Sequence, residues 1–515
     1  MKKNIFQIAL AAVLPLALTA CFSDDSSLGD PNSVPVIKIE EMPVQSVVSY
    51  VGNHLTITPE INSPYKDSEL EYTWYLYDEN DITKEAGFRD SIIDKKRNLD
   101  FEVNLPTGNY NIAFEVKVKA TGLATYARTT IKVTTAFSEG WYILKETEDG
   151  NTDIDLITES STSTDLIAKL EGEPLKGTPL SLAMIYQQDY VNPDKNTMEK
   201  ANMINVFSNE NYLAYRVEDM KRIFDQKNIC YAGEDNDDVY YNTSNYWNLT
   251  VMLSKKGVSF NTSMANTYNT GKYKLPAFED DIAPFVQMAK GGQQGILYWS
   301  NTLHGVRNID QKAVNMKDIS CDTLGLQECM ASGITRIGGK ETVWFYTQNK
   351  AENKRYLHII DSNVDTLKQI RLLDPDLHIA NATRVAACGG SASYIYAIDG
   401  GKLYAYGIET GTEVEIQLPN VSEPISFVTN QWLCLVFGDK QYNYDHLVVG
   451  SQNGNEYKLW FFDNIVGGMP SKEAYKTFTG TGKIHSIRRA VPSNISSLFI
   501  QMGPRAAMPV FPTSE

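Results

Sequence analysis

Histidine and cysteine are scarce in this chain, six of each in 515 residues. His54, His304, His358, His378, His446 and His485 form neither an H-E-x-x-H nor an H-x-H pair, so the short zinc-hydrolase motif is absent. No two cysteines make a C-x-x-C, which excludes zinc-ribbon and thioredoxin-type chemistry. There is no G-x-S-x-G; in "CGGSAS" at 388–393 the serine follows two glycines and reads as a turn between strands. Neither a phosphate loop nor a dinucleotide fingerprint occurs. Basic charge is also short. Lys+Arg total 47 against 63 Asp+Glu, a net of −16, the reverse of what nucleic acid or an anionic lipid surface selects. The sequence thus offers no catalytic residue set, no cofactor motif and no metal motif. A hydrolase using scattered carboxylates stays open as an alternative, because one sequence does not show which acids face each other.

Long apolar runs are wanting too, and the one at the N-terminus is brief. Lys2 and Lys3 give a positive start, Ile5 to Leu18 an apolar middle broken by Pro15, and Thr19 and Ala20 a small-residue cleavage site. The stretch is too short, and too soon followed by acids, for a comfortable membrane span. Leu18-Thr19-Ala20 directly before Cys21 reads as a lipobox, so residues 1–20 are expected to be a lipoprotein signal peptide and Cys21 the lipidated residue. The acids of "FSDDSS" (22–27) resemble the export tag of surface lipoproteins in the Bacteroidota. Residues 21–33 then form a lipidated, flexible tether, polar with Gly and Pro. The expected location is the outer membrane, lipid-anchored and facing the exterior.

Five cysteines follow Cys21. Cys321 and Cys329, eight apart, could form a disulfide in an exported chain, and the odd count leaves at least one thiol. Cys388 and Cys434 lie in apolar contexts that read as core.

What is abundant is β-forming sequence. Residues 34–136 carry short alternating runs, among them "LEYTWYLYD" around Trp74 and "GNYNIAFEVKV", and read as an Ig-like β-sandwich with Trp74 in its core. From 137 to 515 strand–turn–strand units recur irregularly: "GWYILKETEDGNTDIDLI", "MINVFSNENYLAYRV", "LTVMLSKKGVSFNTS", "QGILYWSNTLHGVRNI", "ETVWFYTQNKAENKRYLHIID", "SYIYAIDGGKLYAYGIE" and "DHLVVGSQNGNEYKLWFFD". A lone hairpin cannot bury both faces, whereas stacked four-stranded blades can, so this region is expected to be a β-propeller of about seven blades at ~50 residues each. Six or eight blades, and jelly-roll or tandem-sandwich architectures, remain alternatives. Helical periodicity is scarce; "VEDMKRIFDQ" (217–226) is the best candidate helix. Trp299, Trp344, Trp432 and Trp460 read as blade core, and Trp141 as packing where the two domains join.

The order of these segments resembles the PKD-like family of lipoproteins from Bacteroidota. The resemblance rests on the lipobox, "YTWYLYD" with "GNYNIAFEVKV", the junction "FSEGWYIL", "GKYKLPAFEDDIAPF", "SYIYAIDGGKLYAYGIETG", and "LVVGSQNGNEYKLWFFD" followed by "TFTGTGKIHSIRRA". It implies a PKD-like sandwich and a location beside SusC/SusD-like uptake systems, a TonB-dependent outer-membrane channel with a lipoprotein lid. It carries over no catalytic residue.

Two stretches could hold a ligand. "GEDNDDVYYN" offers Asp235, Asp237 and Asp238, but the sixth position of a calcium loop counted from Asp235 is Tyr240 rather than Gly, so it reads as a solvated loop. In "YYNTSNYWN", Tyr240, Tyr241, Tyr246 and Trp247 stand among Asn and Ser, side chains that stack on sugar or pack against peptide while amides hydrogen-bond. Tyr246 and Trp247 could equally open a buried strand. The expected function is a non-catalytic accessory component of a nutrient importer that captures an oligosaccharide or oligopeptide. A purely structural scaffold and a surface hydrolase are the alternatives.

Overall fold

The computed structural model describes residues 36–492, apart from 49–52, 79–91, 106–107, 160, 232–238, 245–249, 255, 261–269, 275, 277, 289–294, 311–314, 338–339, 362–364, 389–391, 434–441 and 466–467. The chain divides into two compact units. In the smaller, a five-stranded sheet is centred on Leu70–Asp78, Gly108–Val118 and Ala124–Thr134, and His54–Ile57 pairs with Leu99–Glu102 in a separate two-stranded sheet. Alternation puts Leu55, Ile57, Leu99, Ile112, Phe114 and Val116 inside this sandwich. Trp74 is fully buried as expected, stacked 4.2 Å from Phe114, and its indole N–H donates to the Lys96 carbonyl at 2.9 Å.

The larger unit is a β-propeller. Among the described residues it holds seven antiparallel sheets; sheets 2 to 6 have four strands in sequence order from inner to outer, the first has four in a different order, and the seventh has five, its third strand pairing with both Met469–Pro470 and Lys476–Thr481. Sheet 1 takes Gly140–Glu146, Thr152–Ile157 and Thr162–Ser163 from the start of the unit and its inner strand, Lys483–Ala490, from the end. The inner strands of sheets 2 to 7 are Pro179–Val191, Val239–Ser244, Ile282–Met288, Gln327–Ile337, Arg384–Ala387 and Phe427–Leu433. Neighbouring sheets touch in turn, and the ring closes where Lys483–Ala490 meets both Phe427–Leu433 and Pro179–Val191.

Each quoted hairpin is the middle strand pair of one sheet. Gly454 shows how the turn chemistry works: Asn453 pairs with Glu456, and the first of the two turn residues sits at φ +59°. A glycine there matches the right-handed twist of the strands it joins. Apolar side chains of the middle strands fill the spaces between sheets. Trp299, Trp344 and Trp460 are buried there, while Trp432 is partly buried. Trp141 packs against Phe461 and Ile487 between sheets 1 and 7, so its burial is accounted for inside the propeller.

The expected helix at 217–226 is not formed. Residues 217–220 are a turn and Lys221–Asp225 is a strand paired with Tyr212–Arg216. Met220 adopts a left-handed φ of +53°, Arg216 pairs with Asp219 across the turn, and pairing buries Ile223 and Phe224. So few residues could not hold a helix against that pairing. The six-residue helix Leu166–Glu171 lies instead beside sheet 1, where the Asp153 carboxylate accepts from the Ile167 and Ala168 amides at 2.8 and 3.2 Å.

A buried histidine between sheets 4 and 5 carries a pH consequence. His358 Nδ1 lies 2.9 Å from Ser320 Oγ, and its Nε2 lies 2.9 Å from Gln327 Oε1, which also accepts from Thr347 at 2.6 Å. Burial pushes its pKa down to about 4 from the ordinary 6.5. The folded protein therefore resists a proton that the unfolded chain accepts. This contribution is complete above pH 6.5 and falls away as pH drops from 6.5 to 4, by on the order of 3 kcal/mol. Urea midpoints across that window should fall, and His358→Gln should flatten the slope; an unchanged slope would refute the assignment.

Candidate functional site

The sequence-level ligand candidates divide. Tyr246 and Trp247 lie outside the described residues, as do Cys21, Cys434, Asp235, Asp237 and Asp238. Tyr240 and Tyr241 fall on the inner strand Val239–Ser244, whose side chains are also outside the description; the backbone register shifts between Val239 and Tyr241.

The Cys321–Cys329 disulfide is not formed: both are free thiols. Cys321 Sγ donates to the Leu303 carbonyl at 3.3 Å, whereas Cys329 lies on the strand Gln327–Ile337 and donates to Ala331 at 3.4 Å. The two thiols are held by different carbonyls, and the Cys329 side chain packs against the apolar core between sheets. Cys388 is buried, as its context implied.

The inner strands carry the polar residues that composition alone does not reveal. Gln287 donates to Ser332 at 2.9 Å, linking the inner strands of sheets 4 and 5. Gln431 donates to Thr429 at 3.2 Å, and Asn430 donates to Asp445 at 2.8 Å, all from the inner strand of sheet 7. Lys483–Ala490 alternates by parity: Ile487 joins the core with Trp141 and Phe427, while Ala490 joins the core with Leu182 and Ile204. His485 and Ser486 precede Ile487 on this strand, and Arg488 and Arg489 follow it.

Arg384 opens the inner strand of sheet 6 and reaches past sheet 7. Its guanidinium lies over the Phe427 ring, 4.2 Å from the centroid, and Nη2 donates to the His485 carbonyl at 2.9 Å. Among the described residues its Nε, sealed from solvent, has no hydrogen-bond partner, and no carboxylate faces the group. Burial pulls its pKa down to about 9, which leaves it charged at neutral pH. Two arginines on middle strands differ: Arg216 pairs with Asp219, and Arg307 with Asp280 and Asp318. Arg489 lies over Tyr444 at 4.6 Å and Trp141 at 5.5 Å and contacts His446 Nε2.

Two polar atoms of the strand Lys483–Ala490 are also unspent among the described residues. His485 Nδ1 and Ser486 Oγ are buried with no hydrogen-bond partner. Burial, and then the charges of Arg384 and Arg488, push the His485 imidazole down to about 3, so it is neutral. Arg488 is 3 % exposed and donates to the Ile487 carbonyl at 2.6 Å. The arrangement presents positive charge and neutral hydrogen-bonding groups at the inner wall of a chain that is acidic overall. No short motif encodes it, because the strands that supply it are far apart in sequence.

Two other places are weaker. Ser320 and His358 make a serine–histidine pair, but His358 has no exposed surface and Ser320 is 5 % exposed, so a substrate has no approach. A pocket of about 230 Å³ on sheet 6 is lined by Thr410, Thr412, Glu409 and Glu413. The Glu413 carboxylate is already held by the His378 and Ile379 amides at 2.7 and 2.6 Å. Among the described residues no cluster of three or more metal-ligating side chains occurs.

Comparison with solved structures gives remote likenesses. A quinonprotein alcohol dehydrogenase-like protein from Bacteroides thetaiotaomicron is 12 % identical over 87 % of this chain and 96 % of that one, with a TM-score of 0.38. Apo AztD from Citrobacter koseri is 13 % identical over 83 % and 100 %, with a TM-score of 0.33. No curated protein matches the chain. Residues 24–179 match the PKD-like family, so the segment that spans the sandwich and the first three strands of the propeller is PKD-like.

Proposed function

We propose that this chain is a surface-exposed outer-membrane lipoprotein, anchored at Cys21, that serves as a non-catalytic accessory component of a SusC/SusD-like, TonB-dependent uptake complex. Its propeller captures an oligosaccharide or oligopeptide and hands it on. The observation that carries the binding part is Arg384 at the inner wall, a guanidinium with one backbone acceptor, an Nε without a hydrogen-bond partner and no acidic partner among the described residues. The lipobox and the acids after it support the location. The sandwich and tether would set the propeller's height above the membrane and could dock on the transporter.

The test is a mild-detergent pull-down of the native lipidated protein from its own outer membrane, read by mass spectrometry. A channel and a lid lipoprotein should come with it in stable ratio, and Cys21→Ala should release the protein from the membrane fraction. Recovery of the protein alone would remove the importer assignment. Stoichiometric capture with no stabilisation by any ligand would leave a scaffold instead.

A further inference from the structure

We propose that Arg384 is the anchor for a carboxylate group of the captured ligand, held at the inner wall of the propeller with His485 beside it. This deepens the binding assignment above and rests on it. The argument begins from cost. A guanidinium out of water needs a counter-charge or a full set of acceptors, and a buried polar group without them weakens the fold. Arg384 has one backbone acceptor, the His485 carbonyl, and one aromatic face, Phe427. Its Nε has nothing. Arg216 and Arg307 show how this chain satisfies guanidiniums on its middle strands, with aspartates. The partner missing at Arg384 is thus an acid that none of the described residues supplies.

The geometry favours a planar, singly charged acid. A guanidinium presents adjacent N–H donors that match the two oxygens of a carboxylate. The neighbouring His485 adds no competing charge: its imidazole is neutral, and its Nδ1 has no hydrogen-bond partner among the described residues. Arg488, close enough to act on the His485 imidazole, raises the local positive potential. A neutral ligand could offer an acceptor oxygen but no counter-charge, and so would bind the guanidinium more weakly.

Two measurements on the full chain test this. The first needs no knowledge of the natural ligand. Arg384→Met keeps the contact with Phe427 and removes the charge, so the ligand-free protein should melt about 1–3 °C higher. A melting point several degrees lower would show that the guanidinium is structural and would overturn the proposal. The second is calorimetric titration with trigalacturonate, maltotriose, N-acetyl-triglycine and its C-terminal amide. A carboxylate probe should bind at least tenfold more tightly than its neutral counterpart, weaken as sodium chloride rises, and lose at least tenfold in Arg384→Gln, with part regained in Arg384→Lys. The sugar and peptide arms separate the two sources of carboxylate. Equal binding of neutral and acidic probes, or carboxylate binding unchanged in Arg384→Gln, overturns the anchor while the binding assignment stands. Failure of all four probes overturns the anchor and leaves the pull-down to decide the importer assignment.

Discussion

Lys145→Met should destabilise the protein by about 3–5 kcal/mol, read from urea denaturation at pH 7. Lys145 lies on the second strand of sheet 1 and is 1 % exposed. Its Nζ lies 2.7 Å from Asp155, which has no exposed surface, and 2.8 Å from Asp165. The Tyr457 hydroxyl donates to Asp155 from sheet 7 at 2.7 Å, and the Asp165 amide donates at 2.9 Å. Removing the lysine leaves the Asp155 carboxylate buried with hydrogen bonds but no counter-charge. That is the costly way to break such a pair; replacing both partners with apolar groups is much cheaper. Lys145→Met with Asp155→Leu should therefore recover a large part of the loss. A single-variant loss below 1 kcal/mol would show that water relieves the site. Burial acts to raise the Asp165 carboxyl, but the hydrogen bond and charge of Lys145 outweigh it and hold it below its ordinary value. Its contribution is thus present above about pH 4 and is lost as pH falls further.

The sequence revealed the propeller through its middle strands. In every sheet the two middle strands are joined by a turn and buried on both faces, so pattern and turn chemistry stand together in one short stretch. "QGILYWSNTLHGVRNI" is such a pair, closing as Ile296–Ser300 against Gly305–Ile309. Outer strands are short or exposed and show little pattern; Met316–Asp318 is exposed throughout. Inner strands are obscured for the opposite reason. Their neighbours belong to other sheets, so amides and charges appear where an isolated strand would be apolar. The candidate site suffers most from this. Arg384 and His485 meet across 101 residues of sequence, and nothing local to "ATRVAACGG" distinguishes its arginine. The signal that was present is "KIHSIRRA", a strand with two adjacent arginines in an acidic chain. The aromatic cluster at 240–247 drew attention through composition, which marks adhesive residues without saying which wall they line.

That same strand carries the largest expected effect. A chain ending before Lys483 should lose the cooperative unfolding of the propeller altogether. Lys483–Ala490 pairs with Gly140–Glu146 along its length, from Gly140 opposite Ala490 to Glu146 opposite Lys483. Ile487 and Ala490 have no exposed surface and sit in separate cores on either side of the strand. Without them sheet 1 presents an unpaired edge, and the faces of sheets 2 and 7 that it covers are opened to water. One buried Ile→Ala change costs about 2–5 kcal/mol, and a domain's whole stability is about 5–15 kcal/mol, so loss of the entire strand exceeds what the ring can absorb. Ile487→Ala alone should keep a cooperative transition at a lower urea midpoint. The truncated chain should instead show a broad transition by circular dichroism and rapid cleavage by protease. A synthetic peptide of residues 483–492 supplies the missing backbone partner in trans and should sharpen the transition again, as strand addition does at an open sheet edge. A sharp, peptide-independent transition in the truncated chain would mean that the ring is held by its six other sheets and that the C-terminal strand decorates a closure made elsewhere.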